Sequence, residues 1–157
     1  MSLLWGDAPF KGSPWWAVNT VSRSMQPKSP EVSAHMRKIR TKRTTEEDRI
    51  RAALGRHHIR FRGNVKSLPG SPDFVLREHR VVIFVDGCFW HGCPWCFRPP
   101  IHNREWWLEK IARNQKRDRR DARRLRARGY SVVRAWAHDD PEKIVRRVLR
   151  VIEYRGK

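Results

Sequence analysis

Cys88, Cys93 and Cys96 follow one another in a Cys-x4-Cys-x2-Cys spacing, which places three soft ligands in nine residues. Gly92 and Pro94 lie between them, in a loop rich in tryptophan. Thiolate and imidazole are the ligands that zinc prefers in closed, tetrahedral structural sites. His138 is the obvious fourth ligand, with His91 and His102 competing on spacing alone. A Cys3His set leaves no open position, so the ion would hold structure rather than do chemistry. The competing reading makes the cysteines small buried hydrophobes.

A second group is acidic. Asp73 opens one expected strand and Asp86 ends its hairpin partner, so antiparallel pairing would gather both carboxylates at one end of a sheet. Paired carboxylates give hydrated magnesium hard oxygen ligands and leave positions for water and phosphate. Taken alone, two aspartates at strand ends are usually turn residues. His91, five residues beyond Asp86, is placed to orient or deprotonate an attacking water; its alternatives are an extra zinc ligand or a solvated loop histidine. Glu47 is a third acid, and its competing role is a helix cap.

The elements that must position these groups are legible from periodicity. Thr44 with Glu47 three residues later reads as a capping box opening a helix over 45–57, with Ile50, Ala53, Leu54 and His57 on one buried face. A strand is expected over 59–62, then a loop over 67–72. A hairpin follows, with arms over 73–76 and 80–86. The run Val81-Val82-Ile83-Phe84-Val85 is apolar and β-branched, as in a central strand covered on both faces. Residues 87–100 should be irregular. A long helix is predicted over 104–127, ended by Gly129, and a strand over 130–136. Asp140 caps a last helix with Pro141 at its first position. Its apolar face comprises Ile144, Val145, Val148, Leu149, Val151 and Ile152. The sum is an α/β fold, a mixed sheet flanked by helices. Residues 1–30, with Pro9, Pro14, Pro27 and Pro30, read as a flexible arm, leaving 31–157 as the folded domain. Trp5, Trp15 and Trp16 in that arm either fold back onto the domain or stack on bases or a partner.

Lys and Arg number 35 against 16 Asp and Glu in 157 residues, a formal net charge of +19. A surface so basic calls for a polyanion, because each cation set on a phosphate releases condensed counterions. An acidic protein, an anionic membrane surface and the arginine bias of a GC-rich genome are the competing explanations. No apolar run reaches the length of a membrane span, and the N-terminus lacks the pattern of a secretory signal. Three clustered cysteines suit a reducing cytoplasm and a metal site better than a disulfide framework.

Three stretches carry a family resemblance. They are Leu68-Pro69-Gly70-Ser71-Pro72-Asp73-Phe74, the block from Val82 through Asp86-Gly87-Cys88-Phe89-Trp90-His91-Gly92-Cys93 to Pro94, and Trp107-Leu108-Glu109-Lys110-Ile111 with Asn114, Arg117 and Asp118. Together they resemble the very short patch repair (Vsr) DNA mismatch endonucleases, over about residues 33–136. The resemblance implies a restriction-endonuclease-like fold with a structural zinc site. It also implies nicking of one strand 5′ to the T of a T·G mismatch, the product of 5-methylcytosine deamination. It makes Asp73 and the Val85 backbone carbonyl the magnesium ligands. Asp86 and His91 would then assist the water, and Glu47 would be the helix-one glutamate of the site. Phe89, Trp90 and Trp107 would wedge into the base stack, where a mismatch lowers the energy of unstacking.

Trp107 also fits a buried helix stripe with Ile111, Ala122 and Leu125. Asn114 or Gln115 and Asp118 fall near that stripe, as though the face lines a site. Met36, Arg37, Asn114, Lys116 and Arg117 are the expected DNA contacts. Cys96 would fill the variable ligand position after Cys93, and Ala137 stands where many members carry glutamate. The implied partner is double-stranded DNA, bound by a monomer in a bacterial cytoplasm near the nucleoid, with mismatch-repair proteins as candidate partners and no membrane. Two other readings share the charge and the zinc: a nucleic-acid-binding module without catalysis, and a restriction-like nuclease with another DNA target.

Overall fold

Our computed structural model describes residues 45–156. The expected arm, the cap Thr44, and Met36 and Arg37 lie outside the described residues. Helix α1 spans Thr45–Arg56, strand β1 Arg62–Gly63, β2 Phe74–Leu76 and β3 Val81–Asp86; α2 spans Arg104–Ala127, β4 Ser131–Trp136 and α3 Pro141–Arg155. The strands form one sheet in the order β1-β2-β3-β4. Strands β1, β2 and β3 pair antiparallel, while β3 and β4 run parallel with Val82 opposite Val132 and Asp86 opposite Trp136. A parallel pair needs a long crossover, and α2 supplies it. This mixed α/β sheet flanked by helices fits a restriction-endonuclease-like fold.

Strand alternation sorts the side chains into two layers. Phe74, Leu76, Val81, Ile83, Val133 and Ala135 pack with Ile50, Ala53 and Leu54 of α1 and Ile144, Val145 and Val148 of α3. Val75, Val82, Phe84 and Val132 pack with Ala122 and Leu125 of α2. The central strand is therefore covered on both faces, as its unbroken apolar run requires. Each fully buried Ile, Leu, Val or Phe contributes about 1.5–3 kcal/mol, so this double core is what makes the polar end of the sheet rigid.

Local chemistry sets the helix ends. Asp140 caps α3 by accepting the Glu142 N–H, with Pro141 in the first turn. Past α2 the chain turns at Gly129, whose φ of 81° only glycine adopts without strain. Two expectations need correction. His57 is exposed rather than part of the α1 apolar face, and its Nε2 lies 2.9 Å from Glu142 on α3. The predicted strand over 59–62 reduces to Arg62–Gly63, because Ile59 and Phe61 pack against the core before any ladder begins. Among the described residues no helix is long and apolar enough to cross a membrane.

Candidate active site and cysteine cluster

The parity that builds the α2-side core also builds the site. Asp73 shares a face with Val75, Asp86 with Val82 and Phe84, and Arg134 with Val132, so all three continue that layer beyond its apolar part. There they line a cleft of about 430 Å³ with Gly70, Val85, His91, Arg117, Asp118 and Asp121. The sequence-predicted Asp73, Val85, Asp86 and His91 thus come together.

Asp73 Oδ2 accepts the Val85 N–H at 2.7 Å, which ties the start of β2 to the end of β3. Burial pushes the Asp73 carboxyl up to about 6; the Val85 N–H opposes this, while the Glu47 and Asp86 carboxylates add to it. Glu47 is buried on α1, and its charge is felt at Asp73 across the sheet end. Burial and the Glu47 and Asp86 carboxylates therefore leave Asp73 in surroundings that favour an added cation.

Asp86 is only 4 % exposed. Arg134 grips it with both ends of its guanidinium, Nε lying 2.6 Å from Oδ2 and Nη2 bonding Oδ1. The same Nη2 reaches Asp118 Oδ2 at 3.1 Å, and that oxygen also lies 2.6 Å from His91 Nδ1. His91 Nδ1 is a further 3.6 Å from Asp86 Oδ1. Burial alone would raise the Asp118 carboxyl, but the His91 hydrogen bond and the Arg134 and Arg117 cations outweigh it and hold it below the usual range. Burial would likewise lower the Arg134 guanidinium, and its two carboxylate partners more than reverse that.

The loop after β3 is clamped to α2. Asn114 donates to the Trp90 carbonyl at 3.0 Å and Gln115 to the His91 carbonyl at 3.0 Å. Gly92, at φ 65°, lies so close to α2 that a Cβ there would meet Gln115 Nε2 and Ile111 Cγ2 at 2.8 Å. Asn114 therefore has a structural bond in addition to any DNA contact. Lys116 and Arg117 are exposed on α2. Phe89, Trp90 and Trp107 form one ring cluster, with centroids 5.4 Å (Phe89–Trp90), 5.1 Å (Phe89–Trp107) and 6.1 Å (Trp90–Trp107) apart. Trp107 is buried under it, while Phe89 and Trp90 are half-exposed. The Lys110 ammonium lies 4.6–5.3 Å from the Trp106, Trp107 and Trp90 rings, a cation–π arrangement.

Behind this loop, the sulfurs of Cys88, Cys93 and Cys96 and a His138 ring nitrogen all lie within 4.8 Å of one another. His138 Nδ1 is 3.0 Å from Cys88 Sγ and 3.3 Å from Cys96 Sγ. His91 turns instead to Asp118, and His102 is exposed and outside the cluster. Burial pushes the Cys88 thiol up to about 12, and the other two sulfurs add to the rise. The Cys88 thiol therefore holds its proton tightly, and a thiophilic cation, whose bonds of ~2.0–2.3 Å would span a tetrahedron of about this size, would bind by displacing it.

The sequence reading names Asp118 without its partner and does not name Arg134. Arg134 had a signal: an arginine alternating with Val132 beside the central strand must bury its charge, and burial demands carboxylates. Asp118 was visible as a polar position near an apolar helix stripe, but its bond to His91 joins residues 27 apart and has no local trace.

Residues 28–96 match the family described as DNA mismatch endonuclease Vsr. The chain is 46% identical over 106 residues to the DNA mismatch endonuclease Vsr of Escherichia coli (strain K12), covering 66% of this chain and 67% of that one. It is 40% identical over 111 residues, 69% of this chain and 81% of the relative, to the type II nicking enzyme V.XorIIP of Xanthomonas oryzae pv. oryzae. With the type II nicking enzyme V.NmeDIP of Neisseria meningitidis serogroup C it shares 39% identity over 106 residues, 66% of this chain and 72% of the relative.

Proposed function

The chain belongs to the Vsr family of DNA mismatch endonucleases, and on that footing we propose that it nicks one DNA strand 5′ to the T of a T·G mismatch in a magnesium-dependent reaction. The observation that carries this reading is the convergence of Asp73, Asp86 and His91 in one cleft. A pure DNA binder gains nothing from buried carboxylates facing phosphates, which repel them.

Asp73 and the Val85 carbonyl would hold the magnesium ion; a carboxyl pushed up to about 6 by burial and two neighbouring acids suits a divalent cation. When bound, such an ion supplies positive charge to the phosphate and makes water a better nucleophile at neutral pH. The chain's own residues do the rest. His91 has Nδ1 engaged by Asp118, which leaves Nε2 as the ring nitrogen free to take a proton from the attacking water. Arg117 borders the cleft beside Asp118, where its guanidinium can meet a phosphate. Lys116 extends that basic edge. Glu47 adds negative charge near Asp73 and strengthens its hold on a cation.

Phe89 and Trp90 present their rings from the same loop as His91, over Trp107 and Lys110. Insertion of these rings at a mismatch would bring the adjacent phosphate to His91, so recognition and cutting share one loop. Cys88, Cys93, Cys96 and His138 would hold zinc, which ties that loop to the segment after β4.

A labelled duplex prepared with T·G, C·G or 5-methylcytosine·G at one position tests the reading. Nicking of the T·G duplex alone, with magnesium and not without, is the expected outcome. Equal cutting of all three duplexes would overturn the mismatch assignment, and binding without cutting would leave a DNA-binding module.

A further inference from the structure

The buried ion network of the cleft contains one residue that the proposed chemistry does not use. The Arg134 side chain is 13% exposed and stands between Asp86 and Asp118, whose side chains are 5% and 14% exposed. Asp86, Asp118 and His91 have the makings of a metal site, with one ligand atom from each within 4.8 Å of the others. A buried carboxylate this close to a part-buried one needs a countercharge. Elsewhere a divalent ion would be the usual answer; here a guanidinium already occupies the position, with Nε and Nη2 on Asp86 and Nη2 on Asp118.

A guanidinium differs from a metal ion in three ways that matter. It does not dissociate, it stays charged at any pH the protein meets, and its planar fork fixes the orientation of what it binds. Its anchorage is strong as well. Arg134 lies on β4 opposite Phe84 in the parallel ladder, with its guanidinium carbon 5.2 Å from the Phe84 ring centre. The Arg147 side chain donates to the Arg134 carbonyl at 2.8 Å, fixing the backbone beneath it. Asp118 in turn fixes the ring of His91. An uninterrupted chain of contacts therefore runs from the rigid sheet to the imidazole.

We propose that Arg134 is a positioning residue for the nicking reaction: it is the standing counter-cation of Asp86 and Asp118, aiming His91 with no divalent ion needed between them. The inference rests on the nicking reading of the same cleft. On this account only the Asp73 side of the cleft exchanges metal, and His91 is already in register before magnesium or DNA arrives.

The test compares the zinc-loaded full chain with its Arg134→Met, Arg134→Lys, Asp118→Asn, Asp73→Asn and Arg134→Met/Asp118→Asn variants, each shown to be folded by circular dichroism. Two readouts are taken: single-turnover nicking of a T·G duplex alongside its binding, and the number of Mn2+ ions bound without DNA, counted by electron paramagnetic resonance. Arg134→Met should slow nicking by about 10- to 100-fold, the usual effect of losing alignment by an ångström, with duplex affinity within about twofold. Arg134→Lys, a cation without the fork, should recover part of the rate. The wild-type Mn2+ count should be unaffected by Asp118→Asn and reduced by Asp73→Asn. Arg134→Met should gain an ion, and the Arg134→Met/Asp118→Asn double variant should lose it again. Wild-type nicking by Arg134→Met, or a wild-type Mn2+ count that falls on Asp118→Asn, would overturn the proposal. A wild-type protein that cuts no T·G duplex would remove the nicking reading instead, and the ion counts would still decide whether Arg134 or a metal stands between the two carboxylates.

Discussion

Asp73 is held at a cost to the fold. Its carboxyl is pushed up to about 6, above the value it has in the unfolded chain, by burial and by Glu47 and Asp86. A raised acid favours the folded state while it is protonated, and that advantage is lost as pH rises through about 6. In protein free of divalent ions, Asp73→Asn should therefore melt at a higher temperature than wild type at pH 8. The difference should shrink to nothing toward pH 4. Equal melting curves at pH 8 would show that Asp73 is not strained in this way. Magnesium should reverse the sign for wild type only, since a bound cation relieves the same repulsion. Much of this was legible in the chain, because Pro72-Asp73-Phe74 and Asp86-Gly87-Cys88 mark strand ends where antiparallel pairing must bring acids together. The partners that tune them were not. Arg134 and Asp118 come from β4 and α2, far along the chain, and nothing local to Asp86 or His91 announces either contact.

At the scale of elements, helix α2 is the platform of the site. It packs Ala122 and Leu125 under the sheet, sends Asp118 into the cleft, and clamps the loop after β3 with Asn114 and Gln115. Its bounds could be read directly from periodicity and Gly129. What could not be read was how closely the loop lies against it. Gly92 is the contact point, in a positive-φ conformation and with no room for a Cβ. Gly92→Ala should destabilise the fold by about 1–3 kcal/mol and lift the loop off α2. Nicking should then fall further than duplex binding, measured on the same T·G substrate. A variant that keeps the wild-type rate would mean that the clamp does not set the position of His91. The shrinkage of the expected strand over 59–62 has the opposite lesson. A strand is expected from Ile59, but Ile59 and Phe61 spend their apolar surface on the core before the edge ladder begins at Arg62.

Across the whole molecule two forces act at long range. The first is charge. With a formal net charge of +19, much of the affinity for DNA should be independent of sequence and lost to salt. A protein that contacts six to ten phosphates loses roughly 10³–10⁵ in affinity between 50 and 200 mM salt. Matched and T·G duplexes should show the same salt slope, offset by the mismatch preference. Slopes that differ strongly between them would place the recognition energy in phosphates rather than in the ring cluster. The second is the cysteine cluster, which joins the loop after β3 to the segment after β4. Elemental analysis should find one zinc per chain and none in Cys93→Ser, and chelation should lower the melting temperature, because a structural zinc ion contributes folding energy directly. A zinc-free protein of unchanged stability would return the cysteines to small buried hydrophobes.

The central claim is that the carboxylate–histidine cleft hydrolyses the strand and does not merely hold it. The most direct measurement is single-turnover nicking of an end-labelled T·G duplex by wild type and Asp73→Ala, with bound duplex quantified in the same samples. The account predicts that Asp73→Ala still binds the duplex and leaves it intact, while wild type converts it to a single nicked product. An Asp73→Ala protein that nicks at the wild-type rate would contradict it.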